Sequence, residues 1–320
     1  MKRLLLGAAL LLASCAQPPA APRTPVAAGP GITIHAEAAA LNPSDPSQDH
    51  IGAFVYAGGL VLSSTDTARL HGLSDLKVLP GGRLVSNSDD GDLLEARLTL
   101  DPKGRLVGLA DARIAPLGGP DGKPLQGKQE ADSEGLAILA DGDRLISFER
   151  HNRILLYPAK GGPPHEVPAP DAQFPENGGM EALTQDPAAG PDAYVVGGED
   201  SGQTWNCTLA KGCAAGRLIP KPAEFGLVAM APLPGGGMAH MLRAWDPLRG
   251  SRIALVVADA KGAEIDRLEL ARPFTVDNLE GVAVVPAKDG TIRFYLISDD
   301  NFMPSQRTLL LAFDWKPPAH

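Results

Sequence analysis

Five segments of the chain repeat one pattern, and that repetition constrains the fold more than any other feature of the sequence. HGLSDLKVLPGGRLVSNSDDG begins at His71, EGLAILADGDRLISFERHN at Glu134 and EALTQDPAAGPDAYVVGGEDSG at Glu181. FGLVAMAPLPGGGMAHMLRAWD begins at Phe225 and EGVAVVPAKDGTIRFYLISDDN at Glu280. Each holds a small apolar strand, a turn of Gly, Pro or Asp, and a second apolar strand that ends in charge. Most add a third strand, such as LLEARLTLD, RILLYPA, RIALVVAD or TLLLAFDW. The openings lie 63, 47, 44 and 55 residues apart, the span of a four-stranded propeller blade and too long for a solenoid turn. No long helical periodicity is visible, so a βαβ plan is not expected. The expected fold is all-β: a β-propeller, with six four-stranded blades if about 290 residues are divided by about 47. Five and seven blades are the other options. The sixth blade is expected from IGAFVYAGGLVLSS (51–64) joined to strands from the C-terminus, a closure that removes free sheet edges.

The first residues are of another kind. MKRLLLGAALLLASC opens with Lys2 and Arg3, continues with an apolar run from Leu4 to Leu12, and ends in small residues before Cys15. This is signal-peptide anatomy, and the run is too short to span a bilayer. Leu12-Ala13-Ser14-Cys15 resembles a bacterial lipobox. Residues 1–15 are therefore read as a lipoprotein signal ending at the lipidation site Cys15, with an ordinary secretory peptide as the alternative. Several acyl chains on one residue anchor stably, since each buried CH₂ adds roughly 0.8 kcal/mol. Ala16 rather than Asp after Cys15 leans toward the periplasmic side of the outer membrane. Residues 16–31, rich in Pro and Ala, read as a tether, and 32–320 as the propeller domain. The membrane is then met only through the lipid.

Net charge is −9, which disfavours nucleic acid as a partner. Apolar residues make up 44 %, enough for a real core, and 36 Gly with 30 Pro suit many turns. Beyond Cys15 the cysteines are Cys207 and Cys213, in NCTLAKGC. In an oxidising compartment they are expected to form a disulfide; a metal pair would need partners that do not lie nearby.

Aligning the repeats stacks His71, Glu134, Glu181, Phe225 and Glu280 just before the first strand, the one that lines a propeller's channel. Three glutamates and a histidine should meet at one mouth. A second set follows the second strand: Asp89 and Asp90, Glu149 and Arg150, Glu199 and Asp200, Arg243 and Asp246, and Asp299 to Asn301. Antiparallel return brings it to the same face. Converging carboxylates need a cation, a shared proton or an arginine. Oxygen-rich rings suit Ca²⁺ or Mg²⁺, and Arg150 or Arg243 can instead neutralise the ring or grip an anionic small molecule. The structural alternative is that each Glu caps backbone N–H groups at the blade start. His71 reads as a general base, a metal ligand or a channel-lining residue without a task. His151, His165 and His240 read as surface or structural.

No nucleophile elbow, zincin motif, P-loop, dinucleotide fingerprint or zinc spacing occurs. DSEGLAILADGDRLISFERHNRILLY, GGMEAL and NLEGVAVVPAKDGTIRFYLISDDNF, with QRTLLLAFDW, resemble the bacterial "esterase-like activity of phytase" family over about residues 70 to 320. The resemblance implies hydrolysis of an ester or phosphoester, and it covers Glu134, Glu149, Arg150, Glu181, Glu280 and Asp299 to Asn301. Phe225 departs from the pattern, so an asymmetric pocket is expected. The reading that results is a metal-assisted hydrolase of a small-molecule ester or phosphoester. A divalent cation would sit on Glu134, Glu181, Glu280 and Asp299, with His71 or Glu149 as base and Arg150 or Arg243 binding developing charge. The alternative is a non-catalytic ligand- or protein-binding propeller with a structural ion. Lactonase chemistry is a third option by fold analogy.

Overall fold

The computed structural model describes residues 31–318. The signal peptide, Cys15 and residues 16–30 of the tether lie outside the described residues. Twenty-two strands and one short helix, Lys128–Ala131, build five sheets. Blade I holds Leu73–Leu79, Arg83–Ser88, Asp92–Leu100 and Leu106–Pro116. Blade II holds Ser133–Ile138, Arg144–Phe148, Arg153–Tyr157 and His165–Val167. Blade III holds Ala182–Gln185, Ala193–Gly197, Gln203–Thr208 and Gly212–Leu218. Blade IV holds Gly226–Pro232, Met238–Asp246, Gly250–Ala258 and Glu264–Leu270. Blade V takes Asn278–Pro286, Ile292–Asp299 and Leu309–Trp315 from the C-terminal end and Phe54–Ser63 from the N-terminal end, with His35–Ala38 beyond it.

The propeller therefore has five blades, not six. Division of length by repeat spacing counted the strand at 51–64 as a new blade. It is instead the fourth strand of the blade that begins at Asn278, with Leu310 opposite Leu60 and Trp315 opposite Phe54. The expected closure is present; only the count differs. The long first spacing holds no further blade: it is filled by the eleven-residue strand Leu106–Pro116 and the loop and helix before Ser133.

A propeller sheet buries both faces, so its middle strands read as continuous apolar runs rather than alternating ones. Arg144–Phe148 and Leu309–Trp315 are of this kind. The core accordingly splits into five wedges, one between each pair of neighbouring blades. Phe294, Phe313 and Trp315 meet Met241 and Leu255 between blades V and IV, and Val85 meets Ile146 and Phe148 between I and II. The first strands pack around the axis, and they do so backbone against backbone. A Cβ on Gly135 would lie 2.5 Å from Glu181 O, and one on Gly281 would lie 2.7 Å from Asp75 Cα. The Glu-Gly pair of the repeat follows from this crowding: the residue after each axial side chain must be small. Cys207 and Cys213 are disulfide-bonded across the hairpin of blade III.

Candidate functional site

The repeat places two side chains per blade at one end of the channel. Before or within the first strand stand His71, Glu134, Glu181, Phe225 and Glu280; at the end of the second stand Asp89, Glu149, Glu199, Arg243 and Asp299. Backbone bonds tie the two positions together within a blade. Asp89 N donates to Gly72 O at 2.8 Å, Glu149 N to Asp132 O at 2.9 Å and Glu199 N to Gly179 O at 3.0 Å. Seven of these ten residues are acids and one is an arginine.

That arginine divides the mouth. Arg243 Nη2 lies 2.9 Å from Glu199 Oε1 and 3.9 Å from Glu181 Oε2, while Nη1 bonds Glu280 and, at 2.7 Å, Asn278 Oδ1. Burial works against the charge, but the three carboxylates outweigh it and hold the guanidinium protonated. The other half holds the acids of blade II. Ligand atoms of Asp132, Glu134 and Glu149 all lie within 4.8 Å of one another, a spacing that can hold a metal ion. Glu149 is fixed by the N–H of Gly178, at 2.7 Å, and of Gly179. Asp132 accepts from Lys128 Nζ at 2.8 Å and Arg150 Nε at 2.6 Å, and Lys128 also bonds Asp89. The Glu134 carboxylate has no hydrogen-bond or ion-pair partner among the described residues.

Of the four carboxylates expected to share a cation, Glu134 belongs to this trio. Glu181 and Glu280 meet instead at Arg243, and Asp299 stands near Glu280 and Asp89. Burial and like charge push these groups up. Glu134 is raised well above the usual range by burial and then by Glu280 and Glu149. Glu181 is raised by burial and Glu199 despite Arg243. Glu280 is pushed up to about 7 by burial, with Arg243 opposing. Asp299 is raised by burial, Glu280 and Asp89. Glu149 is raised by burial, which its two backbone donors only partly offset.

His71 is held by Asp300 of blade V. Its Nδ1 lies 2.7 Å from Asp300 Oδ2, and Phe302 packs beside the ring at 5.7 Å between centroids. Asp300 also accepts from Gly72 N at 3.1 Å and Thr308 Oγ1 at 2.9 Å. Burial would raise its carboxyl, but His71 and these donors hold it below the usual value. An ionised Asp300 can only accept, so His71 Nδ1 is the donor. Arg150 is bound to Asp132 and, at 3.5 Å, to Glu176. Two contiguous cavities, of about 430 and 730 Å³, share Trp245, Asn278 and Asn301 and lead outward from Arg243.

Sequence reasoning missed Asp132, Asn278 and the support given by Lys128. The first two stand two residues before the repeat glutamates, in DSEG and NLEG, so extending the alignment by two positions would have found them.

The sequence profile described as Phytase-like, esterase-like activity of phytase, matches residues 68–302. No curated protein sequence matches. Among solved structures, a putative gluconolactonase is 14 % identical, covering 91 % of this chain and 97 % of its own, with a TM-score of 0.48. The PQQ-bound aldose sugar dehydrogenase of Streptomyces coelicolor is 14 % identical, covering 77 % and 94 %, with a TM-score of 0.48. A catalytically inactive virginiamycin B lyase of Staphylococcus aureus, solved with quinupristin, is 12 % identical, covering 89 % of each chain, with a TM-score of 0.41. Likeness at this level carries nothing about activity.

Proposed function

The chain belongs to the phytase-like family, described as esterase-like activity of phytase, and on that premise we propose that it hydrolyses a small-molecule ester or phosphoester at the acidic mouth of its channel. The observation that carries the proposal is the trio Asp132, Glu134 and Glu149, with its ligand atoms within 4.8 Å of one another. A partnerless carboxylate raised by burial beside two further acids is a donor set that fits a hard divalent cation, Ca²⁺ or Mg²⁺. Such an ion would polarise the substrate oxygen and acidify a water. The chain's own residues do the rest. His71, oriented by Asp300, takes a proton at Nε2. Arg150 lies against the trio through Asp132 and can face developing negative charge. Arg243 keeps the neighbouring glutamates from repelling an anionic substrate. The cavities past Trp245 give that substrate room.

Turnover of 4-nitrophenyl butyrate and 4-nitrophenyl phosphate by the full-length chain tests this. Activity should fall on chelation, return with Ca²⁺ or Mg²⁺, and drop roughly 100-fold or more in His71→Asn. A rate that survives both exhaustive chelation and Glu134→Gln rejects the metal-assisted reading. The second reading is a non-catalytic binding propeller, and it is favoured by Arg243, which already neutralises half the mouth from within. It predicts no turnover of either ester.

The proposal places the protein at the bacterial cell envelope, anchored through Cys15. Support comes from Lys2, Arg3, the apolar run and the lipobox-like Leu12 to Cys15.

A further inference from the structure

His240 lies in the second strand of blade IV, only 7 % exposed, with no hydrogen-bond or ion-pair partner among the described residues. Its imidazole lines a cavity rather than a hydrogen-bonded interior. Met230 stands directly opposite His240 in the antiparallel register, and Met238 precedes it by two residues. Directly opposed Cβ atoms lie about 4.5–5.5 Å apart and alternate residues share a face. All three side chains line one cavity of about 390 Å³ between blades III and IV. Its rim carries Asp186, Asp259 and Glu264 against one cation, Arg217, and lies by the turns at the end of the blades opposite the acidic mouth.

We propose that this cleft binds a soft monovalent cation, Cu(I), through the imidazole of His240 and the thioether sulfurs of Met230 and Met238. Thioethers are soft donors that hold Cu(I) and do not hold Ca²⁺ or Mg²⁺. Methionine is flexible enough to bring sulfur to an ion from either strand. The acidic rim favours a cation over an anionic guest. The site is separate from the channel and does not rest on the hydrolase reading.

The test is anaerobic loading of the full-length chain with Cu(I) under ascorbate, which spares the disulfide, followed by competition with bicinchoninate. The expected result is one tightly held ion per chain, with X-ray absorption reporting two sulfur neighbours and one nitrogen. Affinity should fall at least about tenfold in the Met230→Leu/Met238→Leu double variant and in His240→Leu. It should be unchanged in Cys207→Ala/Cys213→Ala, since the disulfide sulfurs are not the ligands. If His240→Leu does not fold, the methionine variant, a near volume-conserving change, decides alone. No ion withheld from the chelator, equal retention by the methionine variant, or loss only in the cysteine variant overturns the proposal.

Discussion

Replacing Arg243 with methionine keeps the aliphatic stem and removes the charge. The parent guanidinium is 16 % exposed and meets Glu199 at 2.9 Å, Glu181 at 3.9 Å, Glu280 and Asn278. Taking away one member of a buried ionic network leaves the rest uncompensated, at a cost of about 3–5 kcal/mol. For a domain of this size the melting temperature should fall by roughly 6–20 °C. The loss should depend on pH in a stated direction. Glu280 is pushed up to about 7 by burial, with Arg243 the main opposing influence. Without Arg243, Glu280 and Glu181 hold their protons to higher pH still. Their folded values then exceed the unfolded value near 4.5, so the folded state binds more protons. The stability this gives is full below about 4.5 and is lost as pH rises through the folded value. Because Glu280 already stands at about 7 in the parent, the deficit of Arg243→Met should be greatest at pH 8 and shrink as pH falls to about 7, by up to about 1.4 kcal/mol per pH unit for that group, and stay level from there to pH 5. Denaturant melts at these pH values measure it. A deficit under about 1 kcal/mol at pH 8, or one that is flat with pH, would refute the convergence of these carboxylates.

Gly281→Val should destabilise by about 3 kcal/mol or more in a urea melt, because the new side chain meets the backbone of Asp75 and Leu76, which cannot give way. Cys207→Ala/Cys213→Ala should cost only about 2 kcal/mol, since the pair spans six residues and closes a small loop. Millimolar Ca²⁺ or Mg²⁺ should raise the melting temperature, by about 2.7 kcal/mol in stability if the ion stands at 100 times its Kd, and Glu134→Gln should abolish the rise. Cys15→Ser should release the chain from membranes in cell fractionation; continued membrane attachment counts against the lipid anchor.

Much of the architecture is legible because a propeller writes itself into the sequence as a period. The five openings from His71 to Glu280 are the five blades, and their turns fall where Gly, Pro and Asp cluster. The blade count was misjudged for a topological reason. The strand at Phe54–Ser63 carries no mark of which blade it joins, and only its register with Leu309–Trp315 decides that. The site was legible in outline, since every ring position follows from repeat alignment. Its partition was not. Whether Glu280 meets Arg243 or Glu134 depends on side-chain contacts between blades that are distant in sequence. His71 shares the ring position, yet its imidazole is captured by Asp300 of blade V.

The shared blade V has a consequence for the birth of the molecule. Phe54–Ser63 is synthesised about 250 residues before Leu309–Trp315. At about 5–20 residues per second, FVYAGGLVLS waits roughly ten to fifty seconds for its partner. During that wait His35–Ala38 can already cover one of its edges, but the edge that will face Leu309–Trp315 stays bare and open to pairing with any other chain. Nascent chains of this protein therefore need to be held apart until the last strand arrives. Loss of even the final ten residues of the described chain should yield aggregates rather than a smaller propeller.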